Sequence, residues 1–202
     1  MSPDFDARHW DERYRASESV WGAPPNRWIG DECRGLAPGT ALDLACGEGR
    51  NALWLARLGW RVLAVDFSAV ALDKGAAQDD TGRVTWVLDD ALGFRCPSPV
   101  ELVVVAYLQL PSSTRRDALH NAARALAPGG TLVVVAHDSR NLVDGTGGPG
   151  DPNVLYTAMD VVHDLDPAGL VIERAGEVLR PVAGADRPAI DCLVRARRPT
   201  TP

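Results

Sequence analysis

The chain has 202 residues, 46% hydrophobic and 24% charged, the balance of an ordinary globular protein long enough for one core without disulfides. A net charge of −6 argues against a general nucleic-acid or anionic-membrane binder. Cys33, Cys46, Cys96 and Cys192 form no C-x-x-C pair and have no histidine at ligand spacing, so no disulfide framework and no metal site is expected, and reduced thiols suit a cytoplasmic setting.

Met1 to Arg15 is too polar for a signal peptide, and no apolar run approaches the ~18 residues of a membrane span. Asp6 to Ala16 reads as a short helix, and Pro24-Pro25-Asn26 punctuates before a second, Arg27 to Arg34. Trp10, Tyr14, Trp21 and Trp28 crowd this stretch, either stapling it to the core or forming an aromatic lid. Pro38-Gly39 turns into a first strand, Thr40 to Ala45. Next come a helix over 50–58 with Gly59 as its cap, a second strand from Arg61 to Val65 that stops at Asp66, and a helix from Ala69 to Ala77 capped by Ser68. Val84 to Leu88 is a third strand ending in Asp89-Asp90, and Val100 to Ala106 a fourth, apolar enough to be buried on both faces. Thr114 to Leu126 reads as a helix closed by Ala127-Pro128-Gly129-Gly130, and Thr131 to Ala136 as the fifth strand.

Strands alternating with helices over short connections mean βαβ units and a parallel sheet. The pattern breaks after residue 137. His137 to Asn153 is glycine-rich and has no apolar period, either a substrate-side lid or a plain connection. A short helix, Thr157 to Leu165, precedes two strands, Leu170 to Pro181 and Ala189 to Arg197, whose short link suits an antiparallel hairpin. The expectation is a single domain over 1–202, with 1–38 as a helical lid segment and 39–197 as the core.

The chemistry centres on Ala41-Leu42-Asp43-Leu44-Ala45-Cys46-Gly47-Glu48-Gly49-Arg50-Asn51, the grammar of a strand, a tight turn and a helix. Its glycines allow close backbone approach, and the helix start offers unpaired N–H groups to a nucleotide-like ligand. Gly47 to Ala52 matches G-x-G-x-x-A with Asp66 19 residues after Gly47, which by itself is also a dinucleotide fingerprint. Asp43 inside the strand, the closing hairpin and the acids after the third strand push away from NAD. A carboxylate buried at Asp43 needs donors, such as backbone amides or a ligand ammonium.

These residues resemble the class I S-adenosylmethionine-dependent methyltransferases. Asp43-x-Ala45-x-Gly47-x-Gly49 matches that family's acid-plus-glycine motif, with Ala45 in place of its first glycine, a departure expected to be mild. The resemblance implies a Rossmann-like α/β fold. Its seven-stranded sheet is mostly parallel with an antiparallel C-terminal hairpin, strand order 3-2-1-4-5-7-6, and helices on both faces. It implies S-adenosylmethionine as cofactor, with Gly47 and Gly49 beneath its methionine and ribose portion. Asp66 would take the ribose hydroxyls with Phe67 beside it, and Asp90 the adenine amino group with Ala91 offering its N–H to the ring; Asp89 could replace Asp90. Ala106 and Tyr107, ending the fourth strand, complete the implied cofactor contacts. Trp10 to Tyr14, Trp21-Gly22, Pro25-Asn26 and Cys46 to Ala52 look like the small tellurite-resistance and thiopurine methyltransferase type, whose N-terminal segment folds over the cofactor. By that analogy Tyr14 and Trp21 touch it. Arg50 either faces the methionine carboxylate or is a solvated helix-start arginine.

Methyl transfer is an in-line displacement that asks chiefly for placement and exclusion of water. A soft nucleophile (thiolate, selenide, reduced tellurium) needs no strong base, whereas a phenol or amine gains from one. Ligands of open α/β sheets lie at the carboxyl ends of strands, so Tyr107, Gln109, His137, Arg140 and Asn141 are acceptor-side candidates. His137 is either a base, an orienting donor or a hydrogen-bonded strand-end histidine. The N/D-P-P-Y/F signature of nucleic-acid amino-methyltransferases is absent, Ala106-Tyr107-Leu108-Gln109 standing there, which favours a small-molecule acceptor. A NAD-linked oxidoreductase and a cofactor-binding protein without transfer activity are the alternatives. Acceptor and oligomeric state are not legible.

Overall fold

Seven strands of five to twelve residues form one sheet in the order β3-β2-β1-β4-β5-β7-β6, the first four of them short apolar runs bounded by glycine, proline or an acid. The computed structural model describes residues 7–20, 22 and 24–200. The chain divides between Phe94 and Arg95 into two compact units.

The first unit opens with α1 (Ala7–Arg15) and α2 (Arg27–Cys33). Asn26 caps α2, its side chain accepting from the Trp28 and Ile29 amides. β1 (Thr40–Leu44), α3 (Arg50–Arg57), β2 (Arg61–Asp66), α4 (Ala69–Ala76) and β3 (Val84–Leu88) follow. β1 pairs parallel with β2, and β2 with β3. Ser68 caps α4 through the Ala71 amide, and Gly59 leaves α3 at φ 99°. Ile29, Cys33, Leu42, Leu44, Leu55 and Val65 form the fully buried core here.

The second unit holds β4 (Val100–Ala106), α5 (Ser112–Arg124), β5 (Leu126–His137), α6 (Asn141–Asp144), α7 (Ala158–Leu165), β6 (Val171–Arg180) and β7 (Ala189–Arg197). β4 and β5 are parallel, while β7 runs antiparallel to both β5 and β6, the expected closing hairpin. Apart from exposed Glu101 and the half-buried Ala106, β4 is buried throughout, as its apolar run required.

Two expectations are corrected. Ala127-Pro128-Gly129-Gly130 does not close α5: that helix ends at Arg124, and these residues belong to the start of β5. The pairing with β4 slips there, from Val100↔Leu126 to Leu102↔Thr131, and Gly129 at φ 78° donates to the Arg198 carbonyl. Proline and glycine mark a bulge inside a strand here, not its boundary. The stretch after His137 is also not bare loop, since it contains α6 and a single 3-10 turn over Pro152–Val154. Both are too short to show a period in sequence.

Candidate active site

The first unit builds its functional end from the turn after β1. Ala45, Gly47 and Gly49 have φ of 60°, 56° and 73°, a left-handed conformation that glycine adopts freely. Ala45 is therefore a less neutral replacement than expected, because an L-residue there carries roughly 1–2 kcal/mol of backbone strain. Gly49 answers a second demand. A Cβ on it would run into the Trp86 indole from β3, and one on Gly75 would lie 2.5 Å from the same ring. Trp86 fills the space between the start of α3 and the end of α4, and only glycine at both places lets it in.

Asp43 is fully buried and neither of its oxygens closes a hydrogen bond. Burial lifts its pKa to about 7; the Ala52 amide and the Arg50 charge offset part of this, and the Asp66 charge adds to it. Such a carboxylate lacks a cationic or N–H-rich partner. Asp66 is also buried but is satisfied: its oxygens accept from the Gly47 amide at 2.8 Å and the Ser68 amide at 2.9 Å, clipping the turn to the end of β2. Burial, with Asp11 nearby, still raises its pKa against those donors. With the Phe67 amide as a third donor, the two oxygens still keep a lone pair for a further donor. Asp90 is exposed and accepts from the Leu92 amide, opening a tight turn in which Gly93 and Phe94 donate to its carbonyl. Asp89, also exposed, accepts from the Asp90 amide. Ala91 is buried, Phe67 and Arg50 half-buried.

The N-terminal segment lies against this turn. Lys74 of α4 donates to the carbonyls of Tyr14 (2.9 Å) and Ser17 (2.6 Å) and pairs with Glu48 at 2.7 Å. Glu48, buried between the two glycines, also accepts from the Val20 amide. Asp11 receives the Ser68 hydroxyl at 2.6 Å. Tyr14 is buried with its ring 5.7 Å from that of Trp10. Trp21, the other expected cofactor contact, lies outside the described residues. Neither Glu48 nor Lys74 was singled out, although a charged residue inside a Gly-x-Gly turn is a visible signal.

In the second unit, Tyr107 follows β4 at φ 57°, held there by its amide on the Val135 carbonyl. Its hydroxyl donates to Asp191 Oδ2 at 2.9 Å and receives Arg180 Nε at 3.1 Å. Its ring packs on His137, centroids 4.8 Å apart. Gln109 bridges the His137 amide and the Val154 carbonyl. Asn141 is buried and fully used, donating to the Gly147 carbonyl and accepting from the Ile190 amide. Arg140 sits on the surface, paired with Asp144 and Glu177. Asp191 and Arg180 escaped the sequence reading. The signal was an acid inside the apolar run Ala189-Ile190-Asp191-Cys192-Leu193, the same signature as Asp43. Among the described residues no cluster of His, Cys, Asp and Glu suits a metal ion, and none of the four cysteines is in a disulfide.

Residues 41–130 match a family described as a methyltransferase domain. By that match the chain is similar to such a domain over less than half of its length. Among individual proteins, it is 31% identical over 106 residues to the ribosomal RNA small subunit methyltransferase C of Alcanivorax borkumensis, a stretch covering 50% of this chain and 33% of that protein. The chain thus spans about a third of that relative. Three solved structures share the fold. One, reported for conversion of a disulfide bond into a thioacetal group during echinomycin biosynthesis, is 24% identical with TM-score 0.76, covering 97% of this chain and 93% of that one. The N-methyltransferase NodS of Bradyrhizobium japonicum, solved with S-adenosyl-L-homocysteine, is 20% identical with TM-score 0.75, covering 96% and 98%. TehB of Haemophilus influenzae is 17% identical with TM-score 0.72, covering 93% and 66%. No helix among the described residues is long and apolar enough to cross a membrane.

Proposed function

We propose that the chain transfers the methyl group of S-adenosylmethionine to a small-molecule acceptor in the cytoplasm. The observation that carries this is the buried, unpartnered Asp43 carboxylate beside a left-handed glycine turn. The cofactor's ammonium is the cation it lacks, and the sulfonium supplies an electrophilic methyl group. Gly47 and Gly49 lie beneath the methionine and ribose portion, with Arg50 toward the methionine carboxylate. Asp66 uses its remaining lone pair on the ribose hydroxyls next to Phe67. Asp90 accepts from the adenine amino group and Ala91 donates its N–H. Tyr14 and Trp21 cover the cofactor, and Ala106 and Tyr107 complete its contacts.

Of the acceptor-side residues, Arg140 is occupied by surface ion pairs and Asn141 and Gln109 by backbone, so His137 is left to meet the acceptor. The fold shared with TehB supports the tellurite-resistance and thiopurine type for the N-terminal segment and the cofactor turn, and the acceptor is read from the second unit instead. The antiparallel β6–β7 pair and the methyltransferase match count against the NAD-linked alternative.

Titration calorimetry with S-adenosyl-L-homocysteine tests the assignment. Asp66→Ala and Asp90→Ala are each expected to weaken binding about tenfold or more, the loss of a hydrogen bond to a charged group. Asp90 is exposed, so its variant keeps the fold even where Asp66→Ala loosens the turn. Unchanged affinity in both would refute the site.

A further inference from the structure

The polar group of the second unit is built around a carboxylate that the methyltransferase reading leaves without a task. We propose that Asp191 is a positioning residue that fixes the His137 imidazole with Nε2 available, and that the acceptor is a hydroxyl or amine whose proton His137 removes. This rests on the methyl-transfer reading above.

His137, the last residue of β5, and Asp191, the third of β7, form a directly opposed cross-strand pair. Asp191 is fully buried near the start of an apolar strand. Two donors converge on its Oδ2, the Tyr107 hydroxyl and Arg180 Nε, both at 2.9 Å. Its Oδ1 faces His137 Nδ1 at 3.4 Å. Nδ1 is itself buried and closes no hydrogen bond of good geometry. The carboxylate is the acceptor within reach, so a proton on the ring's inner nitrogen points at it; such contacts are often long before ligands bind. Burial alone would raise the Asp191 pKa. The facing His137 ring nitrogen, donation from Arg180 and Tyr107 and the Arg180 charge outweigh burial and hold it below the usual carboxylate value.

The ring is also wedged in place. Tyr107 packs on it, Gly148 lies so close that a Cβ there would sit 3.0 Å from the imidazole, and Gln109 holds its backbone amide. Nε2, by contrast, closes no hydrogen bond among the described residues and is not among the buried unpartnered atoms. A histidine with Nδ1–H directed at a carboxylate presents the Nε2 lone pair outward. That is the arrangement of a proton acceptor.

The acceptor class follows from the tautomer. An outward Nε2 lone pair serves only an acceptor that carries a proton to remove. A thiolate or metalloid nucleophile has no proton to lose, whereas a phenol or ammonium does. As the acceptor's O–H or N–H bond breaks toward Nε2, the new O–CH3 or N–CH3 bond forms and the S–CH3 bond breaks with its electron pair left on sulfur. The proton rides on the imidazolium beside Asp191 and then passes to water.

The test uses the full chain, with two-bond 1H–15N correlation of its histidines, His137 assigned by comparison with His137→Gln. The wild type is expected to carry the His137 proton on Nδ1, and Asp191→Asn to shift it toward Nε2. Tyr107→Phe, which keeps the ring packing and removes one donor, is expected to move it in the same direction by less. With catechol as acceptor, Asp191→Asn should lower turnover 10²–10⁴-fold, the range of a lost general base. With thiophenol the change should stay within about threefold. A wild-type Nε2–H tautomer, an unchanged tautomer in folded Asp191→Asn and Tyr107→Phe, or equal losses with both acceptors would overturn the proposal. Methylation of thiophenol but of no hydroxyl or amine would overturn the acceptor class. A wild type that fails to bind S-adenosyl-L-homocysteine refutes the methyl-transfer reading separately, since the tautomer is read without it.

Discussion

Asp43 is the residue on which the cofactor reading turns, and its titration makes it measurable. Its pKa is raised to about 7 in the folded chain, against roughly 3.9 for a free aspartate. Between those values the folded state holds a proton that the unfolded state has lost. Stability from this group is therefore full below about pH 4, falls as pH rises toward about 7, and is flat above. Asp43→Asn removes the slope. Relative to wild type it should gain on the order of 2–4 kcal/mol between pH 4 and pH 8, read from urea unfolding at both. Asp138 is also raised but titrates in both proteins and cancels, whereas Asp66, charge-coupled to Asp43, shares in the difference. Binding of an ammonium ligand should pull the proton off. Calorimetry of S-adenosyl-L-homocysteine in two buffers of different ionisation enthalpy, near pH 6.5, should show proton release in the wild type only. Parallel unfolding profiles for the two proteins would remove Asp43 from this role.

The N-terminal segment is an element held by one cation. Lys74 reaches two carbonyls of that segment and the buried Glu48 of the turn, so segment and turn are locked together. Lys74→Met keeps the stem and deletes the charge. It leaves Glu48 buried with the Val20 amide as its donor among the described residues, a loss of about 2 kcal/mol or more. The Val20 amide should then exchange with deuterium at least tenfold faster, and homocysteine-product affinity should fall by about the same factor. Val20 protection equal to wild type would show that the segment is held by something else. This element also marks how far sequence reached. The helices of residues 7–33, the strand–helix alternation and the hairpin were legible because each follows from local periodicity and caps such as Asn26 and Ser68. Lys74–Glu48, Trp86 between Gly49 and Gly75, and Asp191 beneath His137 join residues 26, 37, 11 and 54 positions apart. No local pattern encodes such partners. The bulge at Ala127 to Gly130 was misread for a related reason, since Pro-Gly-Gly signals a break whether the chain leaves a strand or only kinks within it.

At the scale of the whole molecule, net charge discriminates between acceptors that the fold does not separate. A relative matched over half of this chain is named for ribosomal RNA, and a shared fold leaves the substrate open. A duplex or structured RNA is a dense polyanion, and proteins that bind it gain affinity by neutralising phosphates with lysine and arginine. This chain carries 27 acidic against 21 basic side chains. Several of those bases are already engaged: Arg115 and Arg116 with Asp164, Arg140 with Asp144 and Glu177, Arg180 with Asp191, and Arg195 with Glu173. The field presented to a polyanion is therefore net repulsive, and it weakens only as salt screens it. The expected outcome is that labelled methyl from S-adenosylmethionine enters small hydroxyl or amine acceptors and not purified ribosomal RNA. Fluorescence anisotropy of a labelled RNA hairpin should likewise show no saturable binding at micromolar protein and physiological salt. Methyl incorporation into RNA at a rate matching the best small acceptor, or RNA affinity that climbs steeply as salt is lowered, would reverse the assignment.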